Sequence, residues 1–254
     1  MRDFNVDGVL VGKPFQKIWE KSAVQKYPVG TVYENHGKKF RYSQACADVT
    51  ITHVGLPNMS RHGGDSGGGA YGVMGAIGTK AYAGDVSVIM ANVANGNPQT
   101  IFPLDWFYNG TINFYVPHAD YTDLLSIRIS GSEVATATAV KLYLDEPLPC
   151  DIAATVFTEA HPSPYLNVGA NPSGGADYPF VVVNHVELVS GDYFWGQTKG
   201  SCYVTRNVGV DTSARMKVFI SGLIESATTS DIRQVAGYAL TPRLSDGMIM
   251  LMLE

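Results

Sequence analysis

The sequence predicts an all-β protein: an antiparallel sandwich or barrel of jelly-roll-like character, preceded by an extended N-terminal arm and one short helix. Three observations carry this. Turn signals recur about every 8–12 residues, the rhythm of a sandwich or barrel. Ala, Val and Thr dominate many of the intervals between them, a composition that suits β structure. Charged residues make up only 16 % of the 254, too few for disorder, a coiled coil or long solvated helices. No strand–helix–strand alternation appears, which argues against a doubly wound α/β enzyme fold.

Taken in order, residues 1–14 have no periodicity, and Gly8, Gly12 and Pro14 keep them extended. Over residues 15–26, Phe15, Ile18, Trp19, Ala23 and Val24 fall on one face at helical spacing. Pro14 suits a first turn and Pro28 stops the pattern. The expectation is an arm and helix over 1–26 ahead of a β body over 27–254. The apolar face of that helix, Phe15, Ile18 and Trp19, is the candidate protein-interaction site. It either grips a neighbouring subunit or covers the end of its own sheet.

The β body opens with a hairpin, 30–34 and 39–43, around Asn35-His-Gly37. Residues 102–108 and 111–116 flank Asn109-Gly110, a strong hairpin signal. Leu125, Ile127 and Ile129 alternate with Ser126 and Arg128. Residues 134–144 read as the longest strand, with Val134, Thr136, Thr138, Val140, Leu142 and Leu144 on one face. Further strands are expected at 86–93, 152–158, 180–189, 193–198, 202–208, 215–221, 234–240 and 247–253. The last has six consecutive apolar residues from Met248 to Leu253, so it is expected to be paired and buried on both faces. Two stretches break the rhythm. Residues 63–84 hold nine glycines and 161–179 hold four prolines. Both read as long loops; the second is where two subdomains would meet, with one elaborated domain as the alternative.

Composition limits function. The balance of 18 basic against 23 acidic residues, net −5, lacks the basic excess of a nucleic-acid binder. The run from Met248 to Leu253 is far too short for a membrane span, and the N-terminus shows no signal-peptide pattern. Cys46, Cys150 and Cys202 are widely spaced, with no CxxC pair, and read as core residues of a protein made in a reducing cytoplasm. Asn58-Met-Ser60 and Asn109-Gly-Thr111 match glycosylation sequons by chance.

Several strings imitate catalytic motifs. Gly64-Asp-Ser-Gly-Gly68 spells the active-site serine motif of trypsin-like proteases. Only 65 residues precede Ser66, too few for the barrel that must supply the His and Asp, and His36, His53 and His62 sit in no matching context. Gly67-Gly-Gly69-Ala-Tyr-Gly72 fits GxGxxG, but 57–62 does not read as the strand that a dinucleotide site needs. His118-Ala-Asp120-Tyr-Thr-Asp123 gathers groups able to bind a hard cation; the simpler reading is a polar turn. His185 reads as packed or surface-facing. The aromatic clusters 105–108 and 193–195 suit sugar stacking or a protein interface, with core packing as the default. No catalytic residue, cofactor or metal site is assigned.

Three segments carry a resemblance. They are Tyr27-Pro-Val-Gly-Thr-Val-Tyr-Glu-Asn-His-Gly-Lys-Lys-Phe-Arg-Tyr-Ser-Gln-Ala, Val186-Glu-Leu-Val-Ser-Gly-Asp-Tyr-Phe-Trp-Gly-Gln-Thr-Lys-Gly-Ser-Cys, and Val235-Ala-Gly-Tyr-Ala-Leu followed by residues 247–253. Together they resemble β-rich virion proteins of tailed bacteriophages that decorate or cement the capsid. The resemblance covers about a quarter of the chain. It implies a non-enzymatic structural protein on the capsid surface, made in the host bacterial cytoplasm. Its partner would be the major capsid protein, and it would form a homo-oligomer, a trimer in the pattern of such proteins, contacting neither nucleic acid nor membrane. The alternatives are a tail- or fibre-associated protein that binds a host glycan, and a hydrolase using Ser66 or the 118–123 loop.

Overall fold

The computed structural model describes residues 9–10, 13–46, 55, 57–60, 73–91, 102–117, 122–136, 138–170, 179–205, 215–218, 224–226, 234–240 and 247–254. Among these, every regular element is a strand. The all-β expectation holds. The chain divides into two compact units, one formed by 1–61 with 164–254 and the other by 62–163.

In chain order the first unit supplies β1 (Val9–Leu10), β2 (Lys21–Ser22), β3 (Val32–Asn35), β4 (Lys38–Gln44) and β5 (Pro57–Ser60). The second holds β6 (Val73–Ala76), β7 (Ser87–Ala91), β8 (Thr111–Pro117), β9 (Thr122–Ser132), β10 (Ala139–Leu144) and β11 (Phe157–His161). The first then resumes with β12 (Val168–Gly169), β13 (Phe180–Val183), β14 (Tyr193–Val204) and β15 (Arg215–Val218). It ends with β16 (Ile224–Ser226), β17 (Val235–Ala239) and β18 (Gly247–Met252).

The first unit is built on a 12-stranded sheet with main order β1-β3-β4-β14-β18-β17-β15-β16, and β2, β5, β12 and β13 attach beside it. Its strand pairs are antiparallel except β1 with β3. The β3–β4 hairpin forms as expected. His36 and Gly37 both have positive φ, 48° and 74°, as a two-residue primed turn requires. Among the described residues the longest strand is β14, at 12 residues, where the sequence predicts two shorter ones. A register shift between Gln197 and Lys199 absorbs the irregularity as a bulge. Gly200 then continues the strand at φ +92°, where an added Cβ would lie 2.7 Å from the Gly37 carbonyl oxygen. A second expectation fails at 57–62: Pro57–Ser60 is a strand, paired with β12 and β13. Proline opens it, a position where the missing N–H costs no ladder bond.

Among the described residues, two buried clusters pack within this unit. Leu10, Tyr27, Tyr33, Phe40, Tyr42 and Trp195 form one, with the Tyr42 and Trp195 ring centroids 5.0 Å apart. Phe180, Val183, Cys202, Val204, Ala236, Ile249 and Leu251 form the other. Residues 193–195 are therefore core-forming: Phe194 and Trp195 are fully buried.

The second unit is a six-stranded sheet, β6-β11-β8-β9-β10-β7. A bridge from Ile77 to Met90 and a 2.8 Å bond from Gly78 N–H to the Ile89 carbonyl tie its two ends, so the sheet curls on itself. Ile77, Val88, Met90, Ile112, Phe114, Ile129, Leu142 and others pack inside. Three expectations are corrected here. Residues 102–108 form turns, not a strand; Asp105 and Asn109 take positive φ, both 58°, and Phe102 and Phe107 fill the core. Residues 134–144 give only the strand Ala139–Leu144, because Thr136 Oγ1 accepts from Ala139 N–H at 2.9 Å and holds a tight turn. That turn shifts the alternation, so Ala135 is buried and Val134 is exposed. Finally, 73–76 of the glycine-rich stretch is a strand paired with β11. The proline-rich stretch likewise places Tyr165, Leu166 and Val168 in buried positions and forms β12.

Candidate interaction surface

The helix expected over 15–26 does not form. Residues 13–20 are turns and bends, and Lys21–Ser22 pairs with Tyr193–Phe194 as β2. A helix of that length has little intrinsic stability and needs one buried face. The residue buried here is Gln16, which lies off the apolar face. Its Nε2 donates to the carbonyls of Glu20 (2.9 Å) and Tyr193 (2.8 Å). Its Oε1 accepts from the Tyr42 hydroxyl at 2.8 Å, and its carbonyl accepts from the Trp195 indole N–H at 2.9 Å. The Tyr27 hydroxyl accepts from Phe15 N–H at 2.5 Å, and that of Tyr42 accepts from Lys26 N–H at 3.0 Å. Lys21 Nζ lies 3.0 Å from Asp192 Oδ2. These bonds replace the helical ladder and seat the loop on the aromatic cluster.

The three candidate contact residues separate accordingly. Ile18 packs against the aromatic cluster. Phe15 and Trp19 project outward, 80 % and 63 % exposed, with Val24 exposed beside them in sequence. An open cleft of about 510 Å³ lies against the loop, lined by Phe15, Gln16, Glu20, Lys21, Ser22 and Lys26.

A second exposed apolar feature lies on β18, which the sequence predicts to be buried on both faces. β18 is paired on both sides, by β14 and β17, but it is buried on one face only. Ile249 and Leu251 are inside, while Met250 and Met252 are 40 % and 49 % exposed. Met250 pairs with Tyr238 of β17, and Met248 with Tyr203 of β14. The outer side of these strands thus carries exposed Met and Tyr side chains.

The end of the chain is held by charge. Glu254 accepts from Arg41 Nε at 2.6 Å and from the Tyr165 hydroxyl at 2.5 Å, and Lys39 Nζ lies 3.1 Å away. Burial works to raise its pKa, but the Arg41 and Tyr165 hydrogen bonds and the Arg41 charge outweigh it and hold the carboxyl down at about 2. Burial and the bond to Glu254 push the Tyr165 phenol well up. Arg41 also lies over the Tyr165 ring, 5.2 Å from its centroid.

The remaining candidates scatter. Ser66 and its glycines, the GxGxxG string, His53, His62 and 118–121 lie outside the described residues, as do the side chains of Thr122 and Asp123. His36 sits in the β3–β4 turn. His185 follows β13, with Nε2 2.9 Å from Gln197 Oε1, and burial lowers its pKa. Cys46 and Cys202 are buried, but Cys150 is exposed rather than in the core; burial pushes the Cys202 thiol up to about 12. Among the described residues no group of three His, Cys, Asp or Glu side chains could hold a metal ion. Comparison of the chain with family models, curated proteins and solved structures finds no match.

Proposed function

We propose that this chain is a non-enzymatic structural component of a phage particle that decorates or cements the capsid by binding the major capsid protein, as a homo-oligomer of the trimeric kind. The observation that carries this reading is the presentation of Phe15 and Trp19. Both rings are largely exposed, on a loop whose backbone is pinned by Gln16, Tyr27 and Tyr42. Exposed aromatics on a pre-ordered loop lose little conformational entropy on docking, which is the chemistry of interface hot spots. A cementing protein needs that grip and no reaction. The exposed Met and Tyr side chains of β14, β17 and β18 offer a second apolar contact, adaptable because Met is flexible.

The test is localisation on intact particles by cryo-EM, with wild type and a Phe15→Ala/Trp19→Ala double variant. The expected result is shell-wide copies of the wild type, with density from 13–26 against the capsid lattice. The double variant should keep the wild-type melting temperature and be lost from the particle. Copies confined to the tail would replace this reading with the tail-associated one. Full occupancy by the folded double variant would remove Phe15 and Trp19 from the interface.

A further inference from the structure

The outer face of three adjacent strands in the 62–163 unit has an order that neither the fold nor capsid binding uses. In β11, β8 and β9, Glu159 stands opposite Asn113 and Asn113 opposite Ser126; His161 stands opposite Thr111 and Thr111 opposite Arg128. At the other end Tyr115 stands opposite Leu124, and the Phe157 ring lies 5.4 Å from that of Tyr115 at 49°. The intervening Ile112, Phe114, Ile127, Thr158 and Ala160 are buried, so the first set faces outward. The face therefore carries an apolar row (Phe157, Tyr115, Leu124) beside a hydrogen-bonding row (Glu159, Asn113, Ser126), about 7 Å away along the strands.

We propose that this face is a binding platform for a neutral oligosaccharide of hexose or N-acetylhexosamine units. A pyranose presents a C–H face that packs on aromatic rings, and an edge of hydroxyls that must find donors and acceptors. Phe157, Tyr115 and Leu124 are 45 %, 44 % and 56 % exposed and offer the first surface. A carboxylate, an amide and a hydroxyl in one row offer the second. The ionisable groups of this face are already engaged within the protein. Glu159 Oε2 accepts from the Tyr115 hydroxyl at 3.0 Å and lies 3.5 Å from His161 Nε2, and Arg128 Nε lies 3.8 Å from Asp145. Groups so engaged favour an uncharged polyol, which needs hydrogen bonds and not a free counter-charge, over an ionic ligand. The apolar row is one side chain deep, too small for the roughly 800 Å² per partner of a standard protein interface.

The experiment is saturation-transfer NMR and calorimetric titration of the full chain with maltohexaose, cellohexaose and chitohexaose. Saturable millimolar or tighter binding of at least one is expected. Phe157→Ala and Tyr115→Ala should each weaken it about tenfold, and Glu159→Gln should weaken it less. All three sites are on the surface, so melting temperatures should stay at the wild-type value. Absence of binding by all three sugars overturns the proposal. So does binding that a folded Tyr115→Ala/Phe157→Ala variant retains. If that variant instead changes the sedimentation coefficient, the face is a protein contact and the carbohydrate assignment is wrong.

Discussion

At the scale of the residue, Gln16 governs the N-terminal segment. Its amide satisfies two carbonyls and one hydroxyl in a buried setting, and a leucine there would leave all three without it. Gln16→Leu is expected to lower stability by about 1–3 kcal/mol, read by urea unfolding. Phe15→Ala, at an exposed ring, should stay within about 0.5 kcal/mol of wild type. Glu254 makes a prediction in pH. Its folded pKa is lowered from 4.5 to about 2, so the unfolded chain takes up the proton first as pH falls. The stability it contributes is complete above pH 4.5 and is lost as pH falls through about 2. Glu254→Gln should therefore flatten the acid limb of the stability profile in that window and leave its neutral-to-alkaline part parallel to wild type.

At the scale of the element, β18 separates burial from hydrophobicity. Its sequence is apolar at both parities, yet only Ile249 and Leu251 are enclosed. An aspartate at either would bury a charge without a partner. Ile249→Asp and Leu251→Asp should each cost several kcal/mol, about the 3–5 associated with an uncompensated buried charge. Soluble yield and melting temperature should both fall. Met250→Lys, one strand position from each aspartate and on the opposite, exposed face, should melt within a few degrees of wild type. Under the proposed function it should weaken particle binding or self-association. Unchanged yields for the two aspartate variants would contradict the enclosed face.

At the scale of the molecule, each unit has a core of its own: Ile112, Phe114, Ile129, Leu142 and their neighbours in one, the Trp195 and Ile249 clusters in the other. Ser60 and Val168, on either side of the inserted unit, are register partners, so the first unit closes its own chain path. Residues 62–163 expressed alone are therefore expected to unfold cooperatively. Phe114→Ala should cost about 3–5 kcal/mol there, and a similar amount in the full chain. A fragment with no cooperative transition would show that the core does not suffice.

Turn spacing and short apolar segments determined the all-β class, the β3–β4 hairpin and the strands near 87–91, 235–239 and 247–252, because the signals for these are local: turn residues at regular intervals and a turn able to take positive φ at His36 and Gly37. Phe15 and Trp19 were visible as apolar residues, but not that they face outward. That depended on Gln16 finding partners at Tyr42, Tyr193 and Trp195, far off in the chain. The turn at Thr136 and the bulge near Gln197 also escaped alternation, since each shifts parity by a single residue. The row of Phe157, Tyr115 and Leu124 could not be read at all. Each is an ordinary strand residue, and only the pairing of β11 with β8 and of β8 with β9 sets them side by side. A sequence records which way a side chain points along its own strand. Which strand lies next to it is decided by long-range hydrogen bonds and core burial, and those exist only in the folded chain.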